Sequence, residues 1–187
     1  MRPSLPLLLA TLAFSPLLGL LPTGQVRGAE PQLGPVVQHY GPVYAVPEGS
    51  FNLDASQAYK VLMDVGKGPD DPSELNRSIE SAARFLNLHA RHGIDPGKLE
   101  LAVVLHGSGA RAALDEAAHQ RHFGGPNPNR SLLVELADAG VRIYLCGQTA
   151  AYYGYAPEDL LPRVTMAVSA MTVHVRLQQE GYRGILF

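Results

Sequence analysis

A single cysteine, Cys146, sits in the run Val141-Arg-Ile-Tyr-Leu-Cys-Gly-Gln-Thr149. With one thiol the chain has no internal disulfide to make. The residue is buried and inert, paired with another chain, or a working nucleophile. A nucleophile has to be a thiolate, and a free thiol, with a pKa of about 8.5, is mostly protonated at neutral pH. Backbone N–H groups and the positive end of a helix favour the anion. Gly147, Gln148 and Thr149 follow directly, and their types suit a turn into a helix. Gly147 allows close backbone approach, and Gln148 either hydrogen-bonds a bound oxyanion or sulfur species or caps the turn.

His106, in His106-Gly107-Ser108-Gly109, is the second candidate. It acts as base or hydrogen-bond partner to Cys146 if their two strands are neighbours. The other reading is a histidine satisfied by loop backbone. Asp64, near the end of an earlier strand, carries no assigned role. Asn127 and Asn129 are read as helix-starting residues. Two His-x-x-His pairs, His89/His92 and His119/His122, place imidazoles on one helical face. Solvated helix ends account for them better than a metal. Gly107-Ser-Gly109 lacks the third glycine and the lysine of phosphate loops. No G-x-S-x-G elbow occurs.

These residues need elements to hold them. Residues 141–145 are branched or aromatic and suit a strand, with Cys146 at its carboxyl end. Residues 59–65 form an earlier strand candidate. In the next segment Asp71 is the expected N-cap, Pro72 the first helical residue and Glu74 the partner in a capping box. Leu75, Ile79, Ala82, Leu86 and Ala90 make its inward stripe, and Gly93 stops it. Residues 99–105 are almost continuously apolar, as in a strand covered on both faces. Helices are expected over about 111–123 and 130–139, then a loop with at most one helical turn over 152–162. A short strand follows at 164–168. A helix capped by Ser169 runs to about Glu180, and a last strand ends the chain at 184–187. This βα alternation predicts a three-layer α/β/α sandwich with a mostly parallel sheet of about five strands. Ligands of such sheets bind at the carboxyl edge, where Cys146 and His106 fall.

The 187 residues are 46% hydrophobic and 17% charged, ordinary for one globular core, and the net charge is −2. No basic run points to nucleic acid. Arg2 and the apolar stretch that follows, ending in small residues, read as a signal peptide over residues 1–28, which predicts a periplasmic or secreted protein. A membrane anchor is the competing reading, against Pro6, Pro16 and Gly19. No second long apolar run follows, so no stable span is expected after signal removal. Residues 29–57 are rich in Pro and Gly. They read as an extended arm, anchored on its own domain or a neighbouring subunit by residues 35–37 and 43–46, or as a tether. The α/β domain occupies residues 58–187.

The segments YKVLMDV, VVLHG, NPN before a helix, ADAGVRIYLCGQT and AMTVHVRLQQEGYRGILF, in that order, resemble the DsrE/DsrF-like family. The resemblance spans the folded domain. It implies a small α/β sulfur-relay fold, often assembled into homo- or hetero-oligomers, in which some members carry sulfane sulfur on a cysteine as a persulfide. Many exported single-domain members have no known activity. The leader and proline-rich arm depart from the cytoplasmic relay members. Under this resemblance Cys146 is the expected sulfur-bearing residue, with His106, Gly107, Gly147 and Gln148 around it. Sulfur transfer needs one thiolate, no metal and no cofactor. The expected partners are further copies of the chain and a sulfur donor or acceptor protein. A sulfur carrier or sulfurtransferase is one reading. A non-catalytic oligomeric module that binds a small ligand or a protein, with a structural cysteine, is the alternative.

Overall fold

A computed structural model describes residues 28–46, 51 and 53–186. The expected signal peptide lies, but for Gly28, outside the described residues. The strands are β1 (Tyr59–Val65), β2 (Leu99–Leu105), β3 (Arg142–Cys146), β4 (Val164–Ala167) and β5 (Arg183–Leu186). The helices are α1 (Arg77–Arg91), α2 (Glu116–Phe123), α3 (Arg130–Asp138), α4 (Gly147–Tyr153) and α5 (Ala170–Gln179). The sheet has five strands in the order β4-β3-β2-β1-β5. Every pairing is parallel, so the sheet is wholly rather than mostly parallel.

The order and a single hand of crossover distribute the helices. The steps β1→β2, β2→β3 and β3→β4 all move the same way. Right-handed crossovers therefore put α1 to α4 on one face. The step β4→β5 returns across three strands, so α5 lies on the other face. The core divides accordingly. Met63, Val103 and Leu145 meet α1, α3 and the α2–α4 side. Leu62, Val104 and Cys146 meet Ala170, Val173 and Leu177 of α5. Period-two alternation along each strand produces this split.

Several local expectations are corrected. Asp71 caps a tight turn, accepting from the backbone N–H and hydroxyl of Ser73 at 2.8 and 2.7 Å. Helix α1 begins six residues later, at Arg77, and its cap is Asn76, whose side chain accepts from the backbone N–H groups of Ser78 and Ile79. Asn76 wins because it is locked from both sides: its own N–H donates to Asn129 Oδ1 at 2.7 Å, and its Nδ2 donates to Lys67 O at 2.9 Å. Asn129 thus holds α1 and makes no side-chain cap for α3. Asn127 donates to the carbonyls of Ala112 and Leu114, tying down the loop instead. The expected helix over 111–123 is two pieces: a 3₁₀ segment, Gly107–Ala113, and α2, which Asp115 caps through Ala118 N. Tyr152 and Tyr153 extend α4 instead of starting a loop.

Residues 28–46 lie against α1 of the same chain. Asn87, fully buried, accepts from the N–H groups of Val36 and Val37 at 3.0 and 2.8 Å. It donates to the carbonyls of Val37, Tyr40 and Gly41. Arg91 reaches Gly34 O at 2.8 Å and Gln32 Oε1 at 2.7 Å. Val37 and Val43 are buried here, each contributing about 1.5–3 kcal/mol, while Tyr44 and Val46 of the expected anchor stay exposed. At Gly41 φ is +66° and a Cβ would stand 2.2 Å from Arg84 N, so only glycine fits. Replacing Asn87 with Ala leaves buried arm amides unpaired. Urea unfolding should show a loss of about 3 kcal/mol, and limited proteolysis should cut residues 28–46 before the domain. An arm as protected as in the wild type would contradict this account.

Candidate functional site

The carboxyl ends of β1, β2 and β3 bring Asp64, His106 and Cys146 to one edge. Leu105 pairs with Leu145, and both face the α1 side. The next residues, His106 and Cys146, therefore face α5. The β2 ladder continues through His106, whose N–H donates to Val65 O at 3.1 Å. Asp64 alternates with Met63 and Val65 and also faces α5. The condition for His106 to approach Cys146, adjacent strands, is met because β2 and β3 are neighbours.

Cys146 is 6% exposed and occupies the residue before α4 in extended conformation. Two helix starts converge on its sulfur. Burial pushes the thiol up, but hydrogen bonds from the Thr149 hydroxyl and from the backbone N–H groups of Thr149, Ala170 and Gln148 outweigh it. Together they hold the thiol below its ordinary range. Ala170 is the first residue of α5, so the helix from the opposite layer helps to solvate the thiolate. The space beside Gly147 is filled by protein: a Cβ there would lie 2.5 Å from Ala167 O. The Gln148 side chain is exposed, and its backbone N–H carries the contact to sulfur.

Asp64 bridges two imidazoles. Oδ1 meets His106 Nε2 at 2.6 Å, and Oδ2 meets His174 Nε2 at 2.6 Å. The expected alternative, a His106 satisfied by loop backbone, gives way to this carboxylate partner. Burial pushes the Asp64 carboxyl up, and the hydrogen bonds of His106 and His174 more than reverse it, so Asp64 stays ionised. An ionised carboxylate only accepts, which places a proton on both Nε2 atoms. Gly66 makes room for the ring: a Cβ there would touch His106 Cε1 at 2.8 Å. Gly107 adopts φ +50°, where a Cβ would meet Gly66 O at 2.4 Å. Its N–H donates to Thr149 Oγ1 at 3.3 Å, linking the His106 loop to the residue that solvates the thiol.

His174, Thr149 and Ala170 escape a reading from sequence. The one available signal for His174 is its place between Val173 and Leu177, the inward positions of α5. The histidine pairs do not converge. His89 and His92 turn Nδ1 to Phe85 O and Leu88 O of their own helix, and His119 turns Nδ1 to Gly125 O. Among the described residues no group of three or more His, Cys, Asp or Glu is arranged to hold a metal. In Gly107-Ser-Gly109 the second glycine packs under Val65 O, and Ser108 accepts from Gly68 N at 2.9 Å.

The DsrE/DsrF-like family matches residues 60–187. Among solved structures, a protein of unknown function from Methanobacterium thermoautotrophicum, MTH1491, is similar with a TM-score of 0.52 and 24% identity. The match covers 69% of this chain and 99% of that one. The YchN protein of E. coli is similar with a TM-score of 0.50 and 18% identity, again over 69% of this chain and 99% of the other. At these identities the likeness is one of fold. No curated protein matches the chain significantly.

Thr149→Val removes the hydroxyl donor and leaves the backbone donors in place. The pH midpoint of Cys146 alkylation should move upward, toward that of an ordinary thiol; an unmoved midpoint would deny the hydroxyl its role. The thiolate should also register in stability. Its folded-state pKa lies below its unfolded value. Its contribution is therefore full above the unfolded value and fades as pH falls through the folded one. Urea stability of wild type relative to Cys146→Ala should rise with pH across that window.

Proposed function

The chain belongs to the DsrE/DsrF-like family, and from that premise we propose that it is an exported carrier of sulfane sulfur that holds its cargo as a persulfide on Cys146. The observation that carries this reading is the cluster of hydrogen-bond donors around the one thiol, which lowers its pKa despite burial. A thiolate attacks the outer sulfur of a donor persulfide. A new S–S bond forms on Cys146, and the donor leaves as a thiolate. No external oxidant or reductant is needed, and one cysteine suffices.

Export is supported by the leader-like composition of residues 1–28. Among the described residues no helix is long and apolar enough to cross a membrane. Assembly with further copies is supported by an apolar stripe on the outer side of α5. Val168, just before the helix, is 72% exposed, and Met171 and Val175 are 75% and 58% exposed.

The low exposure of Cys146 favours a second reading, a binding module with a structural cysteine. Intact mass spectrometry after treatment with a sulfane-sulfur donor separates the two. Under the carrier reading one sulfur is added, maps to Cys146, leaves on reduction and is absent from Cys146→Ser. No adduct, together with a thiol that alkylates only after denaturation, would establish the structural role.

A further inference from the structure

We propose that His106 is the general base that activates an acceptor thiol for discharge of the Cys146 persulfide, with Asp64 and His174 as its positioning residues. This rests on the carrier reading and extends it to the second half of the reaction, identifying the acceptor as a thiol of ordinary acidity.

His106 and Cys146 directly follow a registered pair on adjacent strands, so their backbones lie about 4.8 Å apart. Both side chains face the α5 side. His106 Nε2 is committed to Asp64, while among the described residues Nδ1 makes no hydrogen bond, and the side chain is 34% exposed. With the proton on Nε2, a neutral ring offers its Nδ1 lone pair to an incoming group. A carboxylate holding one imidazole nitrogen while the other abstracts a proton is the logic of a triad base. Here the carboxylate is itself anchored, because its second oxygen is held by His174 from the opposite layer.

The chemistry asks for a base at discharge. The outer sulfur of a persulfide stands about 2 Å beyond Sγ, clear of the site in which the thiol is nearly covered. An ordinary acceptor thiol arrives protonated, since its pKa is about 8.5. Nδ1 takes that proton as the acceptor sulfur attacks the outer sulfur. The new S–S bond forms while the bond to Cys146 breaks, and the electron pair leaves on Sγ, where the waiting N–H groups receive it. The products are an acceptor persulfide, the Cys146 thiolate and an imidazolium beside the Asp64 carboxylate. Charge and sulfur balance, and the step involves no net oxidation.

The test uses the persulfide-loaded protein and two acceptors: mercaptoethanol, protonated at neutral pH, and mercaptobenzoate, already ionised. His106→Asn should lose about 10²-fold more of its discharge rate with mercaptoethanol than with mercaptobenzoate. His174→Gln, which keeps a donor to Asp64, should retain the wild-type rate with mercaptoethanol, while His174→Leu should lose part of it. Equal losses with both acceptors, or none, in His106→Asn would overturn the base. If that variant does not fold, the wild-type pH profile decides. A mercaptoethanol rate strictly proportional to its thiolate fraction overturns the proposal, and a flatter profile sustains it. A wild type that never loads sulfur overturns the carrier reading itself, a separate result.

Discussion

Crossovers of one hand, three stepping one way across the sheet and one stepping back, leave its two faces unequally covered. The first three stack α1 to α4 on one side. The return puts α5 alone, among the described residues, on the other. The rest of the molecule follows from that inequality. The crowded face takes the large aliphatic side chains of β1, β2 and β3. The sparsely covered face can hold Asp64, His106 and Cys146 near solvent at the carboxyl edge, where a polar group keeps some hydration. The same return places the start of α5 at Cys146 and His174 against Asp64. A helix needed to close the fold thereby completes the site.

The site balances burial against hydrogen bonding twice. At Cys146 burial alone would favour the neutral thiol, and donors from two helix starts and one hydroxyl reverse it. At Asp64 burial alone would favour the neutral acid, and two imidazoles reverse it. Desolvation strengthens each of these hydrogen bonds while penalising the charge they serve, so both groups depend on complete partner sets. Glycines make the close approaches possible. Gly66 yields space to the His106 ring, Gly107 to a crossing carbonyl, and Gly147 to the end of β4. In the arm, Gly41 does the same against α1.

Much of the architecture is legible in the chain alone. Residues 59–65 and 99–105 are read as strands with the bounds they have, because short, mostly apolar runs rich in branched residues and bounded by turn residues suit a strand better than a helix. Ser169 caps α5 as its type and place predict. The start of α1 is misread because Asp71-Pro-Ser-Glu satisfies every local rule for a helix start, while Asn76 wins through bonds to Asn129 and Lys67, and Asn129 lies 53 positions away. The 111–123 helix is misread because the 3₁₀ segment from Gly107 packs against β2, β3, α3 and α4, contacts that no local pattern reports.

For the site, the sequence by itself determined which residue carries the thiol, that a strand ends there and that His106 ends another, since residue type and strand periodicity are local properties. Tertiary structure alone decided that those strands are neighbours, that Asp64 stands between two histidines, and that Thr149 and the start of α5 solvate the sulfur. The physical reason is that strand order depends on crossover direction, and a hydrogen bond spanning 110 positions, as between Asp64 and His174, leaves no periodic trace in the chain.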